Sequence, residues 1–140
     1  MPDKAVFLGT NGWLALLNAS DELHQKADAV WHDLGRRAYS IVLTDWIIAE
    51  TGNGLARTRA RDHFSRVAEG LLKDPRCRVV FITATLLQRA LDLYLARTDK
   101  QWGLVDCSSF IVMADEKVFE ALTNDRHFFQ AGFRSLLPVP

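Results

Sequence analysis

This chain has little of what marks a specialised architecture. Its two cysteines, Cys77 and Cys107, stand at no metal-ligand spacing, which excludes a Cys-rich metal or disulfide framework. Cys107 falls in an apolar run and reads as a plain buried thiol. No apolar run approaches the roughly 20 residues that a membrane span requires. Met1 to Leu8 lacks the long apolar core of a signal peptide, so a cytoplasmic protein without a membrane partner is expected. An excess of one charge is also missing: 17 basic residues balance 17 acidic ones. Bulk electrostatics therefore select no partner, and nucleic-acid contact would have to come from local patches. No repeat, linker or low-complexity tract divides the 140 residues, which suit a single domain, 1–140. What is present is apolar bulk, 49% of the chain with four Trp and eight Phe, enough for an ordered core.

Strand-like and helix-like runs alternate. Short apolar runs at Ala5–Leu8, Ser40–Leu43, Arg78–Ile82 and Val118–Leu122 read as strands, with Leu136–Val139 as a last edge strand. Between them, Leu23, Ala27, Val30, Trp31 and Leu34 share one helical face, and Ile47, Ile48, Thr51 and Leu55 share another. Arg59–Leu72 and the stretch holding Leu86, Leu87, Ala90, Leu91 and Tyr94 have the same period, and a fifth helix starts near Asp106. Such alternation predicts an α/β fold with a mostly parallel sheet. Thr10, Thr44, Thr83 and Thr123 each stand at or just past a strand end, so all four belong on the C-terminal edge of that sheet. The first three are in position to cap helices, and Thr123 is placed to orient Asp125.

The C-terminal edge is where open α/β sheets bind ligands. Two acids stand there: Asp106 opens an apolar helix, and Asp125 follows the fourth strand through Thr123-Asn124. Trp46, Glu50, Asn53 and Arg57 line a neighbouring face of the helix that holds Ile47, an unusual setting for a solvated acid. Three carboxylates gathered in one cleft raise one another's pKa or recruit a cation. Oxygen ligands of this type favour Mg²⁺ or Mn²⁺, which activate water for phosphodiester hydrolysis without a protein nucleophile. Around them, Thr10, Asn11 and Ser109 are candidate supporting residues, with helix capping and packing as the plainer roles. Arg57, Arg59, Arg61 and Arg66 cluster, and Arg126 and His127 flank the last acid. Arginines of this kind suit an RNA backbone or an acidic partner segment, and also an ordinary solvated face. His127 reads as a structural hydrogen-bonder, and His24, His32 and His63 as surface residues. A response-regulator receiver also gathers acids at a sheet edge, but it needs a phospho-acceptor Asp after the third strand. Thr83-Ala84-Thr85 stands there instead.

Four segments carry a family resemblance: FLGTNGWLALLNASDELH, TDWIIAETGNGLAR, LVDCSSFIVM and EALTNDRHFFQAGF. With them the chain resembles, over nearly its whole length, the PIN-domain ribonucleases, and most closely the VapC-type toxins of bacterial toxin–antitoxin pairs. The resemblance implies a three-layer α/β/α fold and a Mg²⁺- or Mn²⁺-dependent endoribonuclease. It also implies a cognate antitoxin whose peptide lies over the pocket, and a homodimer. The family's acidic pocket falls on Glu50, Asp106 and Asp125. One position departs from the pattern: the turn after the first strand, DTN or DTS in the family, is Gly9-Thr10-Asn11 here. The acid missing at Gly9 is a principal metal ligand of the family. Asp3 lies at the wrong end of the strand and Asp45 one strand away, so neither is expected to replace it. The resemblance therefore implies weak or absent cleavage. The alternative is a catalytically dead module that binds RNA or sequesters an antitoxin.

Overall fold

A computed structural model describes residues 4–140. Five strands form one sheet: β1 (Ala5–Leu8), β2 (Ser40–Thr44), β3 (Cys77–Val80), β4 (Glu120–Leu122) and β5 (Arg134–Ser135). Their order is β3-β2-β1-β4-β5, and every pairing is parallel. Seven helices fill the connections: α1 (Thr10–Leu17) and α2 (His24–Arg36), α3 (Asp45–Leu55) and α4 (Arg61–Lys73), α5 (Ala84–Ala96) and α6 (Leu104–Glu116), and α7 (Arg126–Gln130). The chain steps outward from β1 to β2 to β3, then returns to the other side of β1 for β4 and β5. Right-handed crossovers put α1–α4 on one face and α5–α7 on the other, the expected α/β/α layering. The packing agrees: α1 contacts α2 and α3, while α5 packs on α6.

Both faces of the central strand are covered. Val6, Phe7 and Leu8 are all buried, which is why β1 reads as a continuous apolar run without alternation. On one side Phe7 meets Phe128, and Phe128 stacks edge-to-face on Phe110, which also contacts Trp102 and Phe133. On the other side Trp13 of α1 packs on Phe64 of α4. Gly12 makes a closer approach possible: a Cβ there would lie 2.0 Å from the carbonyl oxygen of Leu122. Only a glycine lets α1 cross the end of β4 at this distance.

Several boundaries differ from the sequence-based expectation, each for a local reason. The third strand ends at Val80, because the Ile82 N–H donates to the Asp45 carboxylate (2.8 Å) and not to a neighbouring strand. The fourth begins at Glu120, since Lys117 turns left-handed (φ 58°) and the Val118 N–H closes α6 on Met113 O. The last strand is Arg134–Ser135, not Leu136–Val139. Gly132, at φ +95°, ends α7 and brings the chain to the sheet early, and Pro138 has no N–H for a ladder. Helix α4 begins two residues later than expected, at Arg61.

Candidate active site

The strand order reverses between β1 and β4, so the crevice outside their C-terminal ends is the sheet's switch point. Gly9 and Thr123 leave the sheet side by side there, joined by a bond from the Gly9 N–H to Leu122 O (3.2 Å). Thr123 is buried, and its hydroxyl accepts the Asp125 N–H (3.0 Å), which holds the turn that presents Asp125. Asp125 in turn caps α7 by accepting the His127 N–H (2.9 Å).

Asp106 reaches the same place from the start of α6, in the layer that also holds α7. It stands in the first turn of α6, where its Oδ2 accepts the N–H of the N-cap residue Gly103 (2.9 Å). That oxygen also lies 3.0 Å from His127 Nδ1, which is 3.4 Å from Asp125 Oδ1. Asp106, Asp125 and His127 thus each offer a ligand atom, all within 4.8 Å of one another. Burial, and then the charge of Asp125, push the Asp106 carboxyl above the usual carboxylate range; the bonds from Gly103 and His127 pull the other way. Among the described residues no Lys or Arg pairs with Asp106, Asp125 or Glu50. His127 alone stands against the pair of aspartates.

Glu50 is outside that three-residue group. It is exposed on α3, and its Oε1 accepts the hydroxyl proton of Thr10 (2.5 Å). Thr10 was expected to cap α1; Gly9 is the N-cap instead, and Thr10 is the first helical residue, which frees its hydroxyl for Glu50. Thr44 and Thr83 do cap, accepting the N–H groups of Ile47 and Leu86. Asn11 donates to Asn124 Oδ1 (3.1 Å), tying α1 to the turn that carries Asp125. Position 9 therefore joins two halves: its neighbour Thr10 holds Glu50, and it packs on the Thr123 that holds Asp125. Asp45 is engaged with the Ile82 N–H, and Asp3 lies outside the described residues.

Ser109, one turn after Asp106, is completely buried, and its hydroxyl has no hydrogen-bond partner among the described residues. Asp106, Asp125 and the His127 imidazole, with no Lys or Arg beside the acids among the described residues, are a donor set suited to a divalent cation. Arg57 and Arg59 are exposed beyond the end of α3, in the turn before α4, so Arg57 does not continue the helical face of Glu50. Arg126 is exposed and lines a cavity of about 800 Å³ with Phe129, Phe133 and Arg134. His24 is half-buried, with Nδ1 2.8 Å from Ala15 O, and is not the surface residue it resembles in sequence. His127, read from the sequence as a structural hydrogen-bonder, does bond, with its Nδ1 3.0 Å from Asp106 Oδ2, and it also joins the acids as a candidate ligand. Its signal was its position two residues after an acid at a strand end. Burial pushes the Cys77 thiol up to about 11 and also raises that of Cys107, so neither is a reactive thiolate.

These features define a class: a three-layer α/β/α domain with an acidic crevice at the switch point of a parallel sheet. The PIN-domain family model matches residues 6–134, and the chain belongs to that family. Among characterised relatives, the 23S rRNA-specific endonuclease VapC20 of Mycobacterium tuberculosis is 28% identical over 134 residues, covering 95% of this chain and 98% of the relative. The crystal structure of that protein, a Sarcin-Ricin loop cleaving toxin, superposes with a TM-score of 0.82 at 27% identity, covering 95% of this chain and 99% of the other. VapBC2 from Rickettsia felis, bound to a DNA fragment from its promoter, shares the fold with a TM-score of 0.65 at 17% identity, over 94% and 96% of the two chains.

Proposed function

We propose that this chain is a divalent-metal-dependent endoribonuclease toxin, with Glu50, Asp106 and Asp125 as its acidic ligands and its cleavage weakened by Gly9. The observation that carries this reading is the meeting of Asp106, at the start of α6, and Asp125, in the turn after β4, with no Lys or Arg paired to either among the described residues. Two carboxylates kept this close without a fixed cation retain a net attraction for a mobile one. Mg²⁺ or Mn²⁺ held there supplies Lewis-acid charge at a phosphodiester and activates water. The chain's own residues orient the site. Thr123 fixes Asp125 through its backbone, Thr10 holds Glu50, and Gly103 aligns Asp106. Exposed Arg57, Arg59 and Arg126 are the proposed contacts for the RNA backbone. The likeness to an rRNA-specific endonuclease supports structured RNA as the substrate class. An antitoxin partner, a homodimer and a cytoplasmic location complete the reading; no described helix is long and apolar enough to cross a membrane.

Gly9 favours one rival, a module that binds RNA or antitoxin without cutting. The two readings separate on RNA cleavage and growth arrest, measured for the chain as it stands and for Gly9→Asp. The nuclease reading expects the variant to gain metal-dependent cleavage and toxicity. If the variant binds Mn²⁺ but cuts no RNA, and arrest is equal for both proteins, the binding module replaces it.

A further inference from the structure

We infer that His127 is itself a metal ligand, and that the site formed by Asp106, Asp125 and His127 takes a nitrogen-accepting transition ion, Mn²⁺ or Co²⁺, in preference to Mg²⁺. This rests on the reading above that Asp106 and Asp125 hold a cation, and it goes further by changing the donor set and the ion.

The geometry comes first. With metal–ligand bonds of about 2.0–2.2 Å, two ligand atoms sit about 3.0 Å apart at a right angle and about 3.4 Å apart at a tetrahedral angle. His127 Nδ1 lies 3.0 Å from Asp106 Oδ2 and 3.4 Å from Asp125 Oδ1. The imidazole is therefore already at ligand spacing from both acids, with no change of backbone needed. Its position is also fixed, because the His127 N–H is tied to Asp125 and the residue sits in the first turn of α7. The buried, unpartnered hydroxyl of Ser109, one turn from Asp106, is a second polar group whose hydrogen bonding the protein leaves open.

The chemistry follows from the donor set. An all-oxygen site suits Mg²⁺, whereas an imidazole ligand favours first-row transition ions over Mg²⁺, with affinity rising from Mn²⁺ to Co²⁺. Gly9 contributes no side-chain oxygen, so the one nitrogen has more weight here than in a site with four acids. Ligation uses the Nδ1 lone pair. The imidazole stays neutral with its proton on Nε2, and any proton on Nδ1 leaves to solvent as the ion enters.

The test is calorimetric titration of MnCl₂, CoCl₂ and MgCl₂ into the full chain, into His127→Ala and into Asp125→Asn. Mn²⁺ and Co²⁺ are expected to bind at least about 10-fold more tightly than Mg²⁺. His127→Ala should lose about 10–100-fold in Mn²⁺ and Co²⁺ affinity, with little change for Mg²⁺. A second measurement avoids substitution altogether. Proton NMR of the unaltered protein with Co²⁺ should show one exchangeable imidazole N–H shifted far outside the diamagnetic range. Equal affinities with and without His127, or no shifted N–H in the Co²⁺ complex, would overturn the histidine ligand while leaving an acidic site that still responds to Asp125→Asn. If no ion binds and Asp125→Asn changes nothing, the metal reading itself falls with it.

Discussion

Restoring an acid at position 9 should lower stability without metal and raise it with metal. Gly9 is extended (φ −83°, ψ 163°), a conformation open to any residue, so Gly9→Asp meets no backbone strain. The new Cβ would lie 3.2 Å from Thr123 Cβ and 3.4 Å from its hydroxyl oxygen, a few tenths of an ångström inside relaxed contact. Thr123 is buried and committed to Asp125, so it yields only a little. That overpacking, with a further carboxylate beside unpaired acids, costs about 1–3 kcal/mol. In a chain of 140 residues each kcal/mol moves Tm by about 3–4 °C, so in EDTA the variant should melt roughly 3–12 °C below the parent. A restored ligand tightens the ion by at least about 10–100-fold. At saturating metal a 100-fold gain in affinity is worth about 2.7 kcal/mol, or roughly 9 °C. In millimolar MnCl₂ the deficit should therefore close or reverse. Differential scanning calorimetry of both proteins in both buffers reads this directly. An equal gap between parent and variant with and without Mn²⁺ would refute the placement of residue 9 at a cation site.

Two further perturbations probe the scaffold and the charge. Gly12→Ala puts a Cβ 2.0 Å from Leu122 O and 2.6 Å from its carbonyl carbon, forcing α1 off the end of β4. The expected loss is about 3 kcal/mol or more by urea denaturation, and an unchanged midpoint would contradict the close crossing. For Asp106 the sign follows from its raised pKa. The native state holds that proton more firmly than the unfolded chain, so stability is lost as pH rises through the carboxylate range towards the folded value. Asp106→Asn keeps an acceptor for the Gly103 N–H and removes the half-buried charge, so it should be more stable than the parent at pH 7. That advantage should vanish below the ordinary carboxylate pKa of about 4. An advantage that grew on acidification would reverse the argument.

Fold class and layer order were legible because they depend on periodicity. Ala5–Leu8 and Ser40–Leu43 are too short and too apolar to be anything but buried strands, and the helices between them show their inward faces by spacing. Asp106 and Asp125 stood out in the sequence by a helix start and a strand end, Glu50 by its neighbours on a helix face, and the departure at Gly9 only through the family resemblance. Strand limits at Val80, Glu120 and Ser135 were not, because each is set by a hydrogen bond from a distant residue or by a single turn.

By itself the sequence determined a mostly parallel sheet, with Asp106 at a helix start and Asp125 just past a strand end, because strand–helix alternation follows from periodicity. The strand order β3-β2-β1-β4-β5 was decided by the tertiary structure. Tertiary structure also decided the grouping at the sheet's C-terminal edge: Asp106, Asp125 and His127 bring ligand atoms within 4.8 Å of one another, while Glu50 bonds to Thr10 outside that group. The physical reason is one of scale. Periodicity fixes which face a residue takes, but ligand geometry is set by contacts of about 3 Å between separate elements, which no local pattern encodes.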